Sequence, residues 1–461
     1  MWEDTLYEFE RRSREKGNFF DNFFIREKID TILIFLIIVG SSTVVVIGLK
    51  LRIFHLWLDF LSSSHILRFS ALVFTGSTVF IIAGILFRTF LWIKYRPLKL
   101  KPAEKIDWPY VSVIMPALNE EELIEKSIDC VFASKYPEEN LELICINDGS
   151  ADRTLYRMLK ARQKYGQRLR VINFRKNVGK RKALYAGFKM AKGEIIVTSD
   201  SDSKIGRNAI RNVVLPLIKD RNTGAVAGRV AVLNEKENFL TRMLSIRYSI
   251  SFDFGRAYQS VYGTVFCCPG ALTAYRKSVL MKFAKDWVKQ KFLDVECTYG
   301  EDRSLTTNIL KCGYMTRYQS NAVVYTRVPS RLRQVSKMYL RWTRSYIRES
   351  VLFSMFMFSP YREQYRLLPI CDFFFLNFLH PFHLFAIALV FYSVILYPVL
   401  IVRYLLIIVI ISFFLSLYYL RTNRSLTFLY GIPYAVLTAF CLWWIVPYAA
   451  CTLKNQSWLT K

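Results

Sequence analysis

The chain has 461 residues, 53% of them hydrophobic, and its 64 Lys and Arg outweigh 36 Asp and Glu to give a formal net charge of +28. That length holds one sizeable soluble domain and several membrane spans, but not many of each. The basic residues are scattered and accompany no recognition motif, which argues against nucleic acid as a partner, and the nine cysteines show no metal-ligand spacing.

In chain order, the first 104 residues read as a cytosolic N-terminal segment and two transmembrane helices. Apolar runs cover Thr31 to Leu49 and about Phe69 to Leu86, each close to the ~20 residues that a spanning helix needs. Arg11, Arg12, Arg14 and Lys16 precede the first run, and Arg96, Lys99, Lys101 and Lys105 follow the second, while the link between them holds few basic residues. Both flanks are therefore expected on the cytosolic side, together with the domain that follows. The charge has two readings: a cytosolic surface near anionic lipid, and a set of contacts for an anionic ligand such as a nucleotide diphosphate or an acidic polymer. Cys130, Cys145, Cys267, Cys268 and Cys297 fall in that domain, where thiols stay reduced, so no structural disulfides are expected.

Residues 105–328 alternate short β-rich runs with helical stretches. Strands are predicted at Val111–Met115, Leu141–Ile146, a run ending at Asn173, and Glu194–Thr198, with helices opening near Glu120 and Arg207. This order implies an α/β domain with a mostly parallel, mixed sheet and right-handed crossovers. Ligands bind such sheets at the carboxyl ends of the strands. Residues 329–372 read as amphipathic interface helices, rich in arginine and aromatics from Arg331 to Phe358. Residues 373–461 form a C-terminal transmembrane region with a cytosolic tail, with apolar runs at roughly Phe373 to Ile401, Leu405 to Leu420 and Thr427 to Leu453. If the tail meets the cytosolic domain, the crossings after that domain are even in number. Three runs therefore require one that does not cross simply, and the last contains Pro433 and Pro447.

Candidate chemistry gathers at the predicted strand ends. Asp200-Ser201-Asp202 follows a strand, and in extended backbone the two carboxylates share one face, where they can converge on a hard divalent cation. The same residues also suit a turn or a helix cap. Asp148 ends the second strand, where a carboxylate can accept from a base or ribose, and Pro116-Ala117-Leu118-Asn119-Glu120 ends the first. Between them lies the basic loop Gly179-Lys180-Arg181-Lys182, suited to phosphate oxygens or to a solvated turn. Gly300-Glu301-Asp302-Arg303 opens a predicted helix, and a carboxylate there can take a proton from a hydroxyl: Asp302 is the candidate general base, with Glu301 in reserve. A helix cap is the alternative reading. Arg341 and Trp342 offer a phosphate clamp and a sugar-stacking ring, or an ordinary membrane-interface pair.

Taken in order, these segments resemble the processive, inverting family-2 glycosyltransferases, the group that holds hyaluronan synthases, chitin synthases and the nodulation chitooligosaccharide synthase. The resemblance runs from about Val111 to the C-terminus. It implies a cytosolic nucleotide-sugar-binding glycosyltransferase A domain inserted between transmembrane and interfacial helices. The reaction implied is polymerisation of UDP-GlcNAc, with UDP-GlcA in a hyaluronan synthase, and export of the polysaccharide across the cell membrane. It places the uridine at Asp148 and Pro116, Ala117, Asn119 and Glu120, brings Lys180 and Arg181 to the diphosphate, and counts Asp200, Ser201, Arg341, Trp458, Thr460 and Lys461 among the donor-binding residues. Mg²⁺ or Mn²⁺ is placed on Asp202 with Asp200, and catalysis on Asp302 with Glu301. Cys267, Gly270 and Trp342 fall on the acceptor side, where Phe266 to Arg276 looks like the family's priming segment. The implied partners are the UDP-sugar donor, the growing polysaccharide and membrane lipids.

The chain departs from the pattern in four places. Met338 stands where the family has glutamine, Glu301 where many relatives have aspartate, Leu459 and Lys461 where the terminal motif has glycine and arginine, and Pro269 and Ala271 are atypical of hyaluronan synthases. Three further readings stand beside the hyaluronan synthase-like one: a chitin or chitooligosaccharide synthase using UDP-GlcNAc alone, a non-processive polyprenyl-phosphate glycosyltransferase, and a non-catalytic transporter.

Overall fold

The computed structural model describes residues 80, 82–101, 105–362, 364–377, a few positions between 388 and 398, 400–423 and 425–455. Thr31 to Leu49, most of Phe69 to Leu86 and the tail residues Trp458, Thr460 and Lys461 lie outside them. Two compact units share the chain, one of residues 76–392 with 437–461 and one of residues 1–75 with 393–436.

The first unit is built on an eight-stranded sheet. Strands β1 (Val111–Ala117), β2 (Leu141–Asp148), β3 (Leu169–Phe174) and β4 (Ile195–Thr198) run parallel. Every residue of β1 and β2 is buried, so these strands read as nearly unbroken apolar runs instead of alternating ones. Strand β7 (Thr273–Arg276) lies antiparallel between β4 and β6 (Thr223–Val232); β8 (Met315–Thr326) runs parallel to β6 and antiparallel to the short β5 (Lys204–Ile205), so that the order across the sheet is β3-β2-β1-β4-β7-β6-β8-β5. The sheet is mixed, as expected.

Pro116 sits in β1 without breaking the sheet. Pairing with β4 stops at Ile114, so the edge of β1 beyond that point needs no ladder donor. The helix Lys180–Met190 packs directly on the central strands, because a Cβ at Gly187 would stand 2.5 Å from Ile114 Cγ2. That close approach fixes the height of its first residue, Lys180, over the carboxyl edge of the sheet.

The predicted interfacial helix spans Leu332–Ser354 and packs on the helices Glu301–Lys311 and Ile445–Cys451. Among the described residues no single helix is long and apolar enough to cross a membrane, while the pair Leu426–Cys441 and Ile445–Cys451 passes together with a 47° bend. The third expected run is thus bent. Pro433 and Pro447 each fall in the first turn of a helix, Gly431–Cys441 and Ile445–Cys451, where a missing N–H costs no helical bond.

Candidate active site

Two loops at the carboxyl edge clasp each other. Asn119, at φ 54°, donates its N–H to Ser150 Oγ at 3.0 Å and accepts from the Ala151 N–H at 2.9 Å. The Glu120 N–H donates to Thr154 Oγ1 at 2.7 Å. Asp148 holds the next loop down, its two carboxylate oxygens accepting from the N–H groups of Val178 and Gly179 at 2.8 and 3.0 Å. Burial pushes the Asp148 carboxyl up, against the pull of those two donors. The side chain expected to face uridine is thus also the fastener that places Lys180.

Lys180 is the meeting point of the site. Its Nζ lies 2.7 Å from Asp200 Oδ1 and 3.0 Å from Glu301 Oε1, joining residues of two motifs that are far apart in the chain. Gly270 closes this corner: a Cβ there would stand 3.3 Å from the Lys180 amine and 3.5 Å from Asp200 Oδ1. Burial opposes the charged amine, but the two carboxylates more than offset it and the Lys180 pKa is raised. Burial likewise raises the Glu301 carboxyl, yet Lys180 above all, with Arg341 contributing, leaves it well below the usual carboxylate range.

Asp302 behaves in the opposite way. Burial and then the Glu301 charge hold it above the usual aspartate range, although the Arg303 N–H donates to its Oδ1 at 2.7 Å. Its Oδ2 faces Cys267 Sγ at 3.9 Å. Adjacent carboxyls pushed apart in this way are the arrangement that separates an ionised electrostatic group from a titrating base.

One sequence expectation is corrected here. Asp200-Ser201-Asp202 is not extended: the Ser203 N–H donates to the Asp200 carbonyl at 3.2 Å and closes a turn, while Ser127 Oγ donates to the Ser201 carbonyl at 2.7 Å. The turn, not strand alternation, sets where the carboxylates point. Among the described residues no three His, Cys, Asp or Glu side chains gather as a metal cage. Two carboxylates nevertheless suit a hard divalent cation that takes its remaining oxygens from water and a diphosphate.

Arg181 is also placed differently from expectation. Successive helical residues point about 100° apart, so with Lys180 facing the site Arg181 enters the core, where it donates to the Trp287 carbonyl and Gln290 Oε1 at 2.8 Å each. Burial, then the Arg348 charge, pull its pKa down to about 10. It does not join the Lys180 cluster.

Trp342 is exposed, with ring centroids 6.0 Å from Tyr248 and 5.6 Å from Tyr339. The described chain ends at Asn455, whose carbonyl accepts from Tyr299 Oη at 3.0 Å, next to the Gly300 that opens the helix Glu301–Lys311. Sequence reasoning did not single out Gln290 or Tyr299, and it read Arg344 and Arg348 only as part of the Trp342 to Glu349 stretch that resembles the hyaluronan synthase interfacial helix, with no role of their own. Arg344 and Arg348, four residues apart on an amphipathic helix, share one face, and that spacing was the available signal.

Residues 112–283 match the family described as Glycosyl transferase family 2. Residues 112–283 thus form a family-2 glycosyltransferase domain, the class that the motifs at the strand ends resemble. A hyaluronan synthase of Streptococcus pyogenes is 29% identical over 419 residues, covering 88% of this chain and 96% of that protein. N-acetylglucosaminyltransferases of Mesorhizobium japonicum and Rhizobium meliloti are 33% and 32% identical over 247 and 253 residues. The chain spans rather more than half of their length, 58% and 59%. A mannosyltransferase of Pyrobaculum calidifontis, solved with GDP-Man and Mn²⁺, shares the fold with a TM-score of 0.54 at 20% identity, covering 80% of this chain and 99% of that one.

Proposed function

We propose that the chain is a membrane-embedded, processive, inverting glycosyltransferase that polymerises UDP-sugars on the cytosolic side and passes the polymer outward. UDP-GlcNAc is the donor, with UDP-GlcA as the second in the hyaluronan synthase-like reading. The observation that carries the reading is the convergence of Lys180, Asp200, Glu301 and Asp302 at the carboxyl edge of the sheet. The alignment with hyaluronan synthase over 88% of the chain supports the polymerising form.

In this mechanism Asp302 takes the proton of the acceptor hydroxyl as that oxygen attacks the anomeric carbon from the face opposite the leaving UDP. Lys180 and Arg341 stabilise charge gathering on the diphosphate, and Trp342 provides the surface on which the acceptor sugar stacks. Asp202 and Asp200 would hold Mg²⁺ or Mn²⁺, whose contribution is neutralisation of the departing diphosphate. The tail residues Trp458, Thr460 and Lys461 complete the donor site, and the membrane-facing helices form the exit path.

After burial, the Glu301 charge is the largest influence raising the pH at which the base works. Because its negative charge raises the Asp302 pKa, Glu301→Gln is expected to move the acidic limb of the kcat/KM profile to lower pH. A limb that stays in place or moves upward contradicts the pairing.

A second reading is a chitooligosaccharide synthase using UDP-GlcNAc alone, favoured by the higher identity to N-acetylglucosaminyltransferases. The deciding experiment supplies the purified protein in detergent with Mn²⁺ and each donor singly and together, then digests the product with linkage-specific hydrolases. Polymer made only with both donors supports the first reading, product from UDP-GlcNAc alone supports the second, and absence of UDP release from any donor removes both.

A further inference from the structure

The strongest group of buried polar side chains outside the Lys180 cluster lies directly behind it. Arg348 Nη2 donates to the carbonyls of Tyr299 and Gly300 at 2.9 and 3.5 Å, and its Nε donates to Glu349 Oε1 at 2.9 Å. Gln290 Nε2 reaches the same carboxylate oxygen at 3.5 Å, while Gln290 Oε1 accepts from Arg181 Nη1 and from Ser304 Oγ. Arg348 and Glu349 are 2% exposed, Arg181 3% and Ser304 0%.

The connections follow a pattern. Gly300 and Ser304 bracket the first turn of the helix that carries Glu301 and Asp302, so both ends of that turn are held, one by Arg348 and the other by Gln290. Arg348 belongs to the Leu332–Ser354 helix, which also carries Trp342, and Arg181 adjoins Lys180. The fit at Gly300 is tight: its φ is +71°, and an added Cβ would stand 2.1 Å from Ser345 Oγ and 2.8 Å from Arg348 Nη2. The C-terminal segment is fastened to the same place, by Arg344 Nη2 on Thr452 Oγ1 at 2.8 Å and by Tyr299 on Asn455.

We infer that Arg348 is a positioning residue that locks the aromatic acceptor platform at Trp342 to the base Asp302 at a fixed spacing. Sliding the interfacial helix past the base helix strips a buried guanidinium of its two carbonyl partners, Tyr299 and Gly300, which is costly. A planar guanidinium bonds two carbonyls and a carboxylate at once, whereas a lysine ammonium lacks that fork. The acceptor sugar is therefore presented to Asp302 in one register, so that the network acts on the chemical step and not on capture of the donor. This inference rests on the proposed reaction.

The test uses the full chain in detergent, with Arg348→Met, Arg348→Lys and Ser304→Ala compared with the parent. UDP release from UDP-GlcNAc (with UDP-GlcA where the parent requires it), calorimetric titration with UDP, and hydrogen exchange at residues 299–305 are measured. Arg348→Met is expected to lower kcat about 100-fold, as for a reacting group displaced by about 1 Å. The donor KM and the UDP affinity stay within about twofold. Arg348→Lys recovers only a minor part, and exchange at 299–305 accelerates while the Lys180–Met190 helix is unchanged. The inference is overturned by a kcat within about threefold of the parent, or by UDP affinity falling in step with kcat. Should Arg348→Met fail to fold, Ser304→Ala, which removes a single hydroxyl, is read by the same criteria with an expected kcat loss of about tenfold. A parent that releases no UDP removes the proposed reaction instead. Exchange then decides the positioning alone: faster at 299–305 in the variants supports it, and unchanged overturns it.

Discussion

Asp302→Asn is expected to lower kcat by about 10²- to 10⁴-fold, the range that a positioned general base contributes, with UDP affinity unchanged. Asparagine keeps the size of the side chain and retains an oxygen to accept from the Arg303 N–H, which in the parent donates at 2.7 Å, so the helix start is preserved while the proton acceptor is lost. Asp302 lies beside Cys267 and next to Glu301, whose carboxylate is tied to Lys180. UDP release by a folded Asp302→Asn protein at the parental rate would show that the base is elsewhere. Glu301 is then the next residue to substitute.

The second large effect falls on stability. Asp372 is fully buried and accepts from Arg88 Nε at 2.8 Å, Tyr262 Oη at 2.7 Å and Tyr258 Oη at 3.2 Å. It ties the helix Leu367–Asn377 to helix 82–94, where Arg88 also lies 5.9 Å from the Tyr258 ring centroid and 5.7 Å from that of Phe375. Asp372→Ala strands the Arg88 guanidinium in the interior, which costs about 3–5 kcal/mol when one partner of a buried pair is removed. A clear drop in the thermal midpoint in detergent is the expected reading. The double variant Arg88→Met, Asp372→Leu is expected to regain most of it, because it leaves no buried charge. A single Asp372→Ala that melts with the parent would mean the pair contributes nothing.

Much of the fold was legible because its signals are local. The runs at Val111 and Leu141 announce strands buried on both faces, Gly300 followed by two acidic residues announces a helix start, and acidic turns after strands mark the carboxyl edge of a parallel sheet. The identities of Lys180, Asp200, Glu301 and Asp302 as site candidates came from those positions alone. Arg181 shows the limit: the same basic loop supplies one side chain to the site and one to the core, and only the rotation of the helix about its axis separates them.

What the amino-acid order determined by itself was the sequence of strands and helices, the apolar runs and the residue types at the strand ends, since each depends on neighbours a few positions away. Only the tertiary structure decided that Lys180 bridges Asp200 and Glu301, that residues 200–203 form a turn, that Asp372 meets Arg88, and that Arg348 bonds the carbonyls of Tyr299 and Gly300 at the start of the helix Glu301–Lys311. These pairings join groups distant in the chain, and their strength depends on burial and relative orientation. Both arise only when the sheet and its helices pack.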